Sequence, residues 1–132
     1  MKRIPQKAPH LVSGSRGEEE AYFYLRQLGF VIVARDYRSP RRRGDIDLIA
    51  WEDDCLCFIE VKTRSRRNFM AAEAAVDEEK KVTLSTLARE YLRQQANARS
   101  RSPKFRFDVV SVYLENNDAP DITLLRDAFQ MS

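Results

Sequence analysis

"GDIDLIAWEDDCLCFIEVKTR", residues 44–64, contains two apolar runs separated by a charged connection. Ile46 to Trp51 and Cys55 to Val61 have strand composition, and Glu52-Asp53-Asp54 between them reads as a turn, so the stretch predicts two neighbouring strands of one sheet. Side chains alternate along a strand. Leu56, Phe58, Glu60 and Lys62 therefore share one face, and Cys55, Cys57, Ile59 and Val61 the other. On the first run Asp45, Asp47, Ile49 and Trp51 share a face. In ordinary register Asp47 can point to the side of Glu60 and Lys62. Two carboxylates and a lysine thus converge in an otherwise apolar pair of strands.

The flanking sequence supplies the rest of the sheet and its covering helices. Residues 1 to 12, with Pro5 and Pro9 and no period, read as a flexible N-terminal arm, and residues 13 to 132 as a single domain. Ser15 and Glu18 have the spacing of a capping box, which predicts a first helix over about 17 to 28. Gly29 is a suitable stop for it. "FVIVARDY", residues 30–37, reads as a strand, and "RSPRRRG" as a hairpin connection. Leu84, Leu87, Ala88, Tyr91 and Leu92 form an apolar stripe at three- and four-residue steps, predicting a long helix over about 72 to 98. "FRFDVVSVYL" is a further strand, and "ITLLRDAF" a last strand or a strand running into a helical turn. The order α-β-β-β-α-β-β/α predicts an α/β fold, in which an antiparallel meander is followed by a crossover strand to give a mixed sheet flanked by helices.

At 132 residues the chain fits one domain. No apolar run approaches the roughly 20 residues that span a bilayer. The N-terminus lacks the apolar segment of a secretory signal. Cys55 and Cys57, two apart on one strand, are poorly placed for a disulfide and lack the further ligands of a structural zinc. They read as reduced core residues of a cytoplasmic protein. The net charge is only +3, but its distribution is uneven. Arg41, Arg42 and Arg43 precede the opening stretch, and Lys62, Arg64, Arg66 and Arg67 end it. Basic groups on both sides of a carboxylate site suit a polyanion, most simply nucleic acid.

Buried like charges are costly unless neutralised, and a divalent cation does this well. Mg²⁺ favours one or two carboxylates, retains waters and takes phosphate oxygens as remaining ligands. Asp47, Glu60 and the backbone carbonyl of Val61 are candidate ligands, and Lys62 a candidate to orient or deprotonate a water, or to stabilise charge on phosphate. Glu18 lies on the apolar stripe of the first helix with Ala21 and Leu25, so it faces the sheet. The plainer alternative leaves Glu60 and Lys62 at the solvent end of a strand, Lys62 paired with Asp47, and Glu18 a helix cap. Asp108 shares a face with Arg106, which predicts a local ion pair, and Trp51 reads as a core or rim aromatic. His10 is the only histidine and falls in the arm, which leaves a metal-and-lysine site as the simpler chemistry.

"GEEEAYFYLRQLGF", "GDIDLIA", "FIEVKTR", "EAAVDEEKK", "AREYL", "RFDVVSV" and the terminal "AF" occur in the order found in the YraN-type proteins, over about residues 14 to 129. That family resembles the archaeal Holliday junction resolvases within the PD-(D/E)XK, restriction-endonuclease-like nucleases. The resemblance implies that fold and a Mg²⁺- or Mn²⁺-dependent endonuclease acting on DNA, with branched DNA as a candidate substrate and a homodimer as a candidate assembly. By position it implies Asp47 as a metal ligand, Glu60 and Lys62 as the Glu-x-Lys pair, and Glu18 as a helical glutamate facing the metal. It also places Lys80 and Arg64 at basic positions near the nucleic acid. Asp45 stands where the family usually has glutamate, as an extra ligand or a supporting partner. Phe69-Met70 stands where the family has Phe-Gly. A nucleic-acid-binding module that does not cut, or a protein-interaction adaptor, would fit the same fold.

Overall fold

The computed structural model describes residues 9–64, 76–114 and 119–132, with side chains from residue 15 onward. Residues 1–8 of the arm, Arg66, Arg67 and the Phe69-Met70 pair lie outside the described residues. The elements are α1 (Pro9–Gln27), β1 (Val31–Tyr37), β2 (Ile46–Glu52), β3 (Cys55–Arg64), α2 (Glu78–Arg99), β4 (Lys104–Tyr113) and β5 (Asp121–Phe129). The strands lie in the order β1-β2-β3-β4-β5. β1, β2 and β3 pair antiparallel, β3 and β4 parallel, and β4 and β5 antiparallel. The parallel step needs a long connection, and α2 supplies it. This is the expected mixed sheet flanked by helices.

Both helix starts differ from the sequence reading. α1 begins at Pro9, so Ser15 and Glu18 lie inside the helix and form no capping box. Proline is well suited to the first helical turn, where its missing N–H is not needed. α2 begins at Glu78, because Asp77 is extended and its side chain accepts from the Lys80 N–H at 2.8 Å. The last segment is a strand throughout; its single bulge sits at Asp127, with φ 54.

Alternation divides the core into two layers. Ile49, Leu56, Phe58, Phe107 and Val109 pack against Leu84, Leu87, Ala88 and Leu92 of α2. Leu48, Ala50, Cys57, Ile59, Val110 and Val112 pack against Ala21 and Leu25 of α1. Cys55 and Cys57 are free thiols, and burial pushes the Cys57 thiol up from its ordinary value. Trp51 is half-buried beside the α2 layer, with the Arg99 guanidinium 4.5 Å above its ring. Asp108 is fully buried, and both of its oxygens accept from Arg106 Nε, as the shared strand face predicts. Among the described residues no helix is long and apolar enough to cross a membrane.

Candidate active site

The regular pairing of β2 with β3 ends at Leu48↔Ile59. One step further on, the Val61 N–H donates to Asp47 Oδ2 at 2.8 Å, so a side chain takes over at the point where the ladder stops. On the other side, Arg35↔Leu48 and Tyr37↔Ile46 bracket Asp36 against Asp47. Asp36 has φ 50, a left-handed conformation that aspartate tolerates better than most residues. The strand alternation breaks here. Ala34 and Tyr37 of β1, three apart, both pack into the α2 layer, as do Ile46 and Ile49 of β2. The same irregularity in two adjacent strands leaves exposed Asp36 and buried Asp47 within reach of α1.

The reach of α1 is set by Gly17. It is buried, and a Cβ built there would collide with the Thr63 side chain of β3. α1 therefore crosses β3 at a glycine, and the next residue, Glu18, is brought to the carboxylates. Ligand oxygens of Glu18, Asp36 and Asp47 lie within 4.8 Å of one another. Gly17→Ala is expected to push α1 away from β3, costing about 1–3 kcal/mol. Chemical denaturation measures that loss.

One step beyond Leu48↔Ile59, Glu60 lies opposite Asp47. The Glu60 side chain is only 4% exposed. Its Oε2 lies 3.5 Å from Lys80 Nζ and 3.9 Å from Lys62 Nζ, and at these separations it makes no hydrogen bond. Lys62 is therefore beside Glu60 as strand alternation requires. Lys80, read from sequence only as a basic position near nucleic acid, reaches the same carboxylate from α2. Burial, then Glu60 and the charge of Glu18, push the Asp47 carboxyl up from 3.8 to about 9, against the opposing Val61 N–H.

Asp36 was missed in the sequence reading; it joins Glu18 and Asp47, whereas the expected ligand Glu60 and the extra candidate Asp45 fall outside that group of three. Asp45 is half-buried and is not one of the three converging carboxylates. Arg41, Arg42 and Arg43 are exposed on the β1–β2 connection, and Arg64 ends β3 with its carbonyl accepting from the Leu114 N–H.

A donor set made wholly of carboxylate oxygens suits a hard divalent cation. The residues present fit one: three acids converge where a strand ladder opens, and the neighbouring buried Glu60 has an oxygen without a hydrogen bond. The uncharacterised protein family UPF0102 matches residues 17–112, which span β1 to β4 and every acid of the cluster. The chain belongs to the UPF0102 family, the YraN type. It is similar to the UPF0102 protein of Koribacter versatilis (strain Ellin345), at 48% identity over 97% of this chain and 86% of the relative. It is also similar to the UPF0102 proteins of Solibacter usitatus (strain Ellin6076), at 46% over 88% and 84%, and of Rhodococcus opacus (strain B4), at 40% over 92% and 99%. The UPF0102 match thus takes in the strand pair, the helix carrying Glu18 and the crossover helix carrying Lys80 together.

Proposed function

We propose that this UPF0102 protein is a metal-dependent endonuclease that hydrolyses DNA phosphodiester bonds, with branched DNA as its candidate substrate. The observation that carries the reading is the convergence of Glu18, Asp36 and Asp47 at the opening of the β2–β3 ladder, with Glu60 opposite Asp47 and Lys62 beside Glu60. A binding surface for DNA has no use for buried acids, which repel phosphate. Asp47, Asp36, Glu18 and Glu60, with the Val61 carbonyl, would hold Mg²⁺ or Mn²⁺. When bound, such an ion polarises a phosphoryl oxygen and lowers the pKa of a coordinated water.

The chain's own residues do the remaining work. Lys62 is partly exposed at the mouth of the cluster, where its ammonium can orient a water or offset charge gathering on the phosphate. Lys80 faces Glu60 from the α2 side and offsets its charge. The Val61 N–H fixes the rotamer of Asp47. Two copies would be needed to cut two strands in one event, which makes a homodimer the matching assembly.

Purified protein should cleave a panel of branched and linear DNAs when given Mg²⁺ or Mn²⁺. Lys62→Ala should lower the rate by about 100-fold or more while leaving the fold intact by circular dichroism. Undiminished cleavage by that variant would remove the assignment. A second reading rests on the Lys80 and Lys62 ion pairs, which balance Glu60 without a metal. In that reading the domain holds nucleic acid and does not cut it. Metal-independent, salt-sensitive binding with no calorimetric signal from Mg²⁺ or Mn²⁺ would favour it.

A further inference from the structure

The basic connection between β1 and β2 is not a loose loop. It is pinned to one flank of α2 at three successive points. Tyr37 packs edge-on against Tyr91, with ring centroids 5.3 Å apart. Ser39, only 7% exposed, donates to Glu90 Oε1 at 3.0 Å. The Arg41 N–H returns to Ser39 Oγ at 3.2 Å, and the Arg42 N–H to the Ser39 carbonyl at 3.3 Å, closing a turn. Gly44, at φ +80, lies so close to α2 that a Cβ would stand 2.6 Å from Thr83 Cγ2. Arginines kept only for solubility need no such anchorage.

The pinned loop and the helix border an open notch of about 300 Å³. Its wall holds the guanidinium-bearing Arg41, Arg42 and Arg93, the amides Gln94 and Asn97, and the single carboxylate of Glu90, which Ser39 already engages. Three guanidiniums and two amides around one concavity present hydrogen-bond donors in the forked geometry that phosphate oxygens accept. Of these wall residues none is aromatic, whereas surfaces that hold single strands depend on rings for base stacking. The chemistry is that of a duplex backbone contact.

The notch also lies at a defined distance from the acid cluster. Lys80 sits at Glu60, and from there to Arg93 α2 advances about 20 Å at the usual helical rise. Duplex DNA rises about 3.4 Å per base pair, so that distance is roughly six base pairs. We infer that the notch between the β1–β2 loop and α2 grips the phosphate backbone of a duplex arm about six base pairs from the bond held at the acid cluster. The location of that bond rests on the nuclease reading; the grip on duplex does not.

The test is binding, measured by fluorescence anisotropy in EDTA, so that it reads out whether or not the protein cuts. The probe is a labelled duplex of about 20 base pairs, with a single strand of the same length alongside, each over a salt series. Arg42→Ala with Arg93→Ala should weaken duplex binding by at least about tenfold and flatten the slope of log affinity against log salt by about two. Both side chains are exposed, so the fold should be unaffected. Gly44→Ala removes no charge but should dislodge the loop, and should weaken duplex binding as well. Unchanged duplex affinity and salt slope in the double variant would overturn the inference, as would an equal loss on the single strand. If wild type fails to cleave with Mg²⁺ or Mn²⁺ while the double variant still loses duplex binding, the nuclease reading fails and the notch stands. If wild type cleaves and the double variant binds duplex as wild type does, the notch fails and the nuclease reading stands.

Discussion

Asp47→Asn should lose divalent-metal binding and, at neutral pH and above, fold more stably than the wild type. The two effects share one cause. Asp47 is 9% exposed and faces Glu60 and Glu18, so its ionised form is disfavoured and its carboxyl is raised. Between the unfolded value of 3.8 and the folded value of about 9, the native protein holds a proton that the unfolded chain has released. Unfolding therefore sheds a proton across that window, and stability falls as pH rises through it. Asparagine removes the ionisation, keeps an oxygen for the Val61 N–H and can donate to Glu60. The variant should gain at least about 1 kcal/mol near pH 8, and the gain should shrink towards pH 4. Metal affinity by calorimetry should fall by at least about 100-fold. In the wild type, binding should tighten with pH, because a ligand must give up its proton to the buffer. Paired thermal melts across pH settle the stability half of this expectation. A variant that melts lower than wild type at every pH would mean that Asp47 is a structural acid.

The strands were legible because their signals are local. β-branched and aromatic runs, a charged turn and a two-residue alternation identify β2 and β3, and the observed layers follow that alternation through Leu56, Phe58, Cys57 and Ile59. Asp36 was not legible, since it ends an ordinary-looking strand and strict alternation assigns it no partner. Its place depends on a left-handed residue and on the register of β1 against β2, both properties of the assembled sheet. The available hint was an aspartate at a strand end before a basic loop, too common a pattern to stand out. Lys80 was legible as a basic helical position, but its pairing with Glu60 depends on how α2 lies across β3. The helix starts failed for a different reason. Pro9 and Ser15 are competing signals for α1, and only packing against β3, set by Gly17 on Thr63, fixes where that helix must lie. For α2, the cap at Asp77 was present in the sequence but hidden within "EAAVDEEKK".

Arg106→Ala should be the most destabilising single change outside the apolar core, with no effect on the acid cluster's chemistry. Arg106 lies between two strands' acids: its Nε bonds both oxygens of Asp108, and a terminal nitrogen bonds Glu52. Arg126 closes the network, with Nε and a terminal nitrogen on the two Glu52 oxygens at 2.8 and 2.7 Å. Asp108 also accepts from the Asp127 N–H at 3.0 Å, the bond that holds the β5 bulge in place. Removing the arginine leaves a fully buried carboxylate with one backbone donor, and breaking a buried pair in this way costs about 3–5 kcal/mol. A domain of this size should then melt on the order of 10 °C lower. Arg126 on Glu52 is more exposed and should matter less. The same network sets an acid limit. Hydrogen bonds from Arg126, then from Arg106, hold the Glu52 carboxyl down at about 2 against an ordinary 4.5, despite the burial that opposes them. Its contribution is present above 4.5 and is lost as pH falls towards 2, because the unfolded chain takes up the proton first. Arg106→Ala should therefore lose part of the wild type's stability slope between those values. Asp108→Asn in the same chain should recover stability, since it removes the stranded charge while retaining an acceptor for Asp127. Metal affinity, measured well below the melting temperature, should match wild type, because β3 still presents Glu60 from the other end of the strand. A variant that stayed folded but lost metal binding would instead tie this network to the acid cluster.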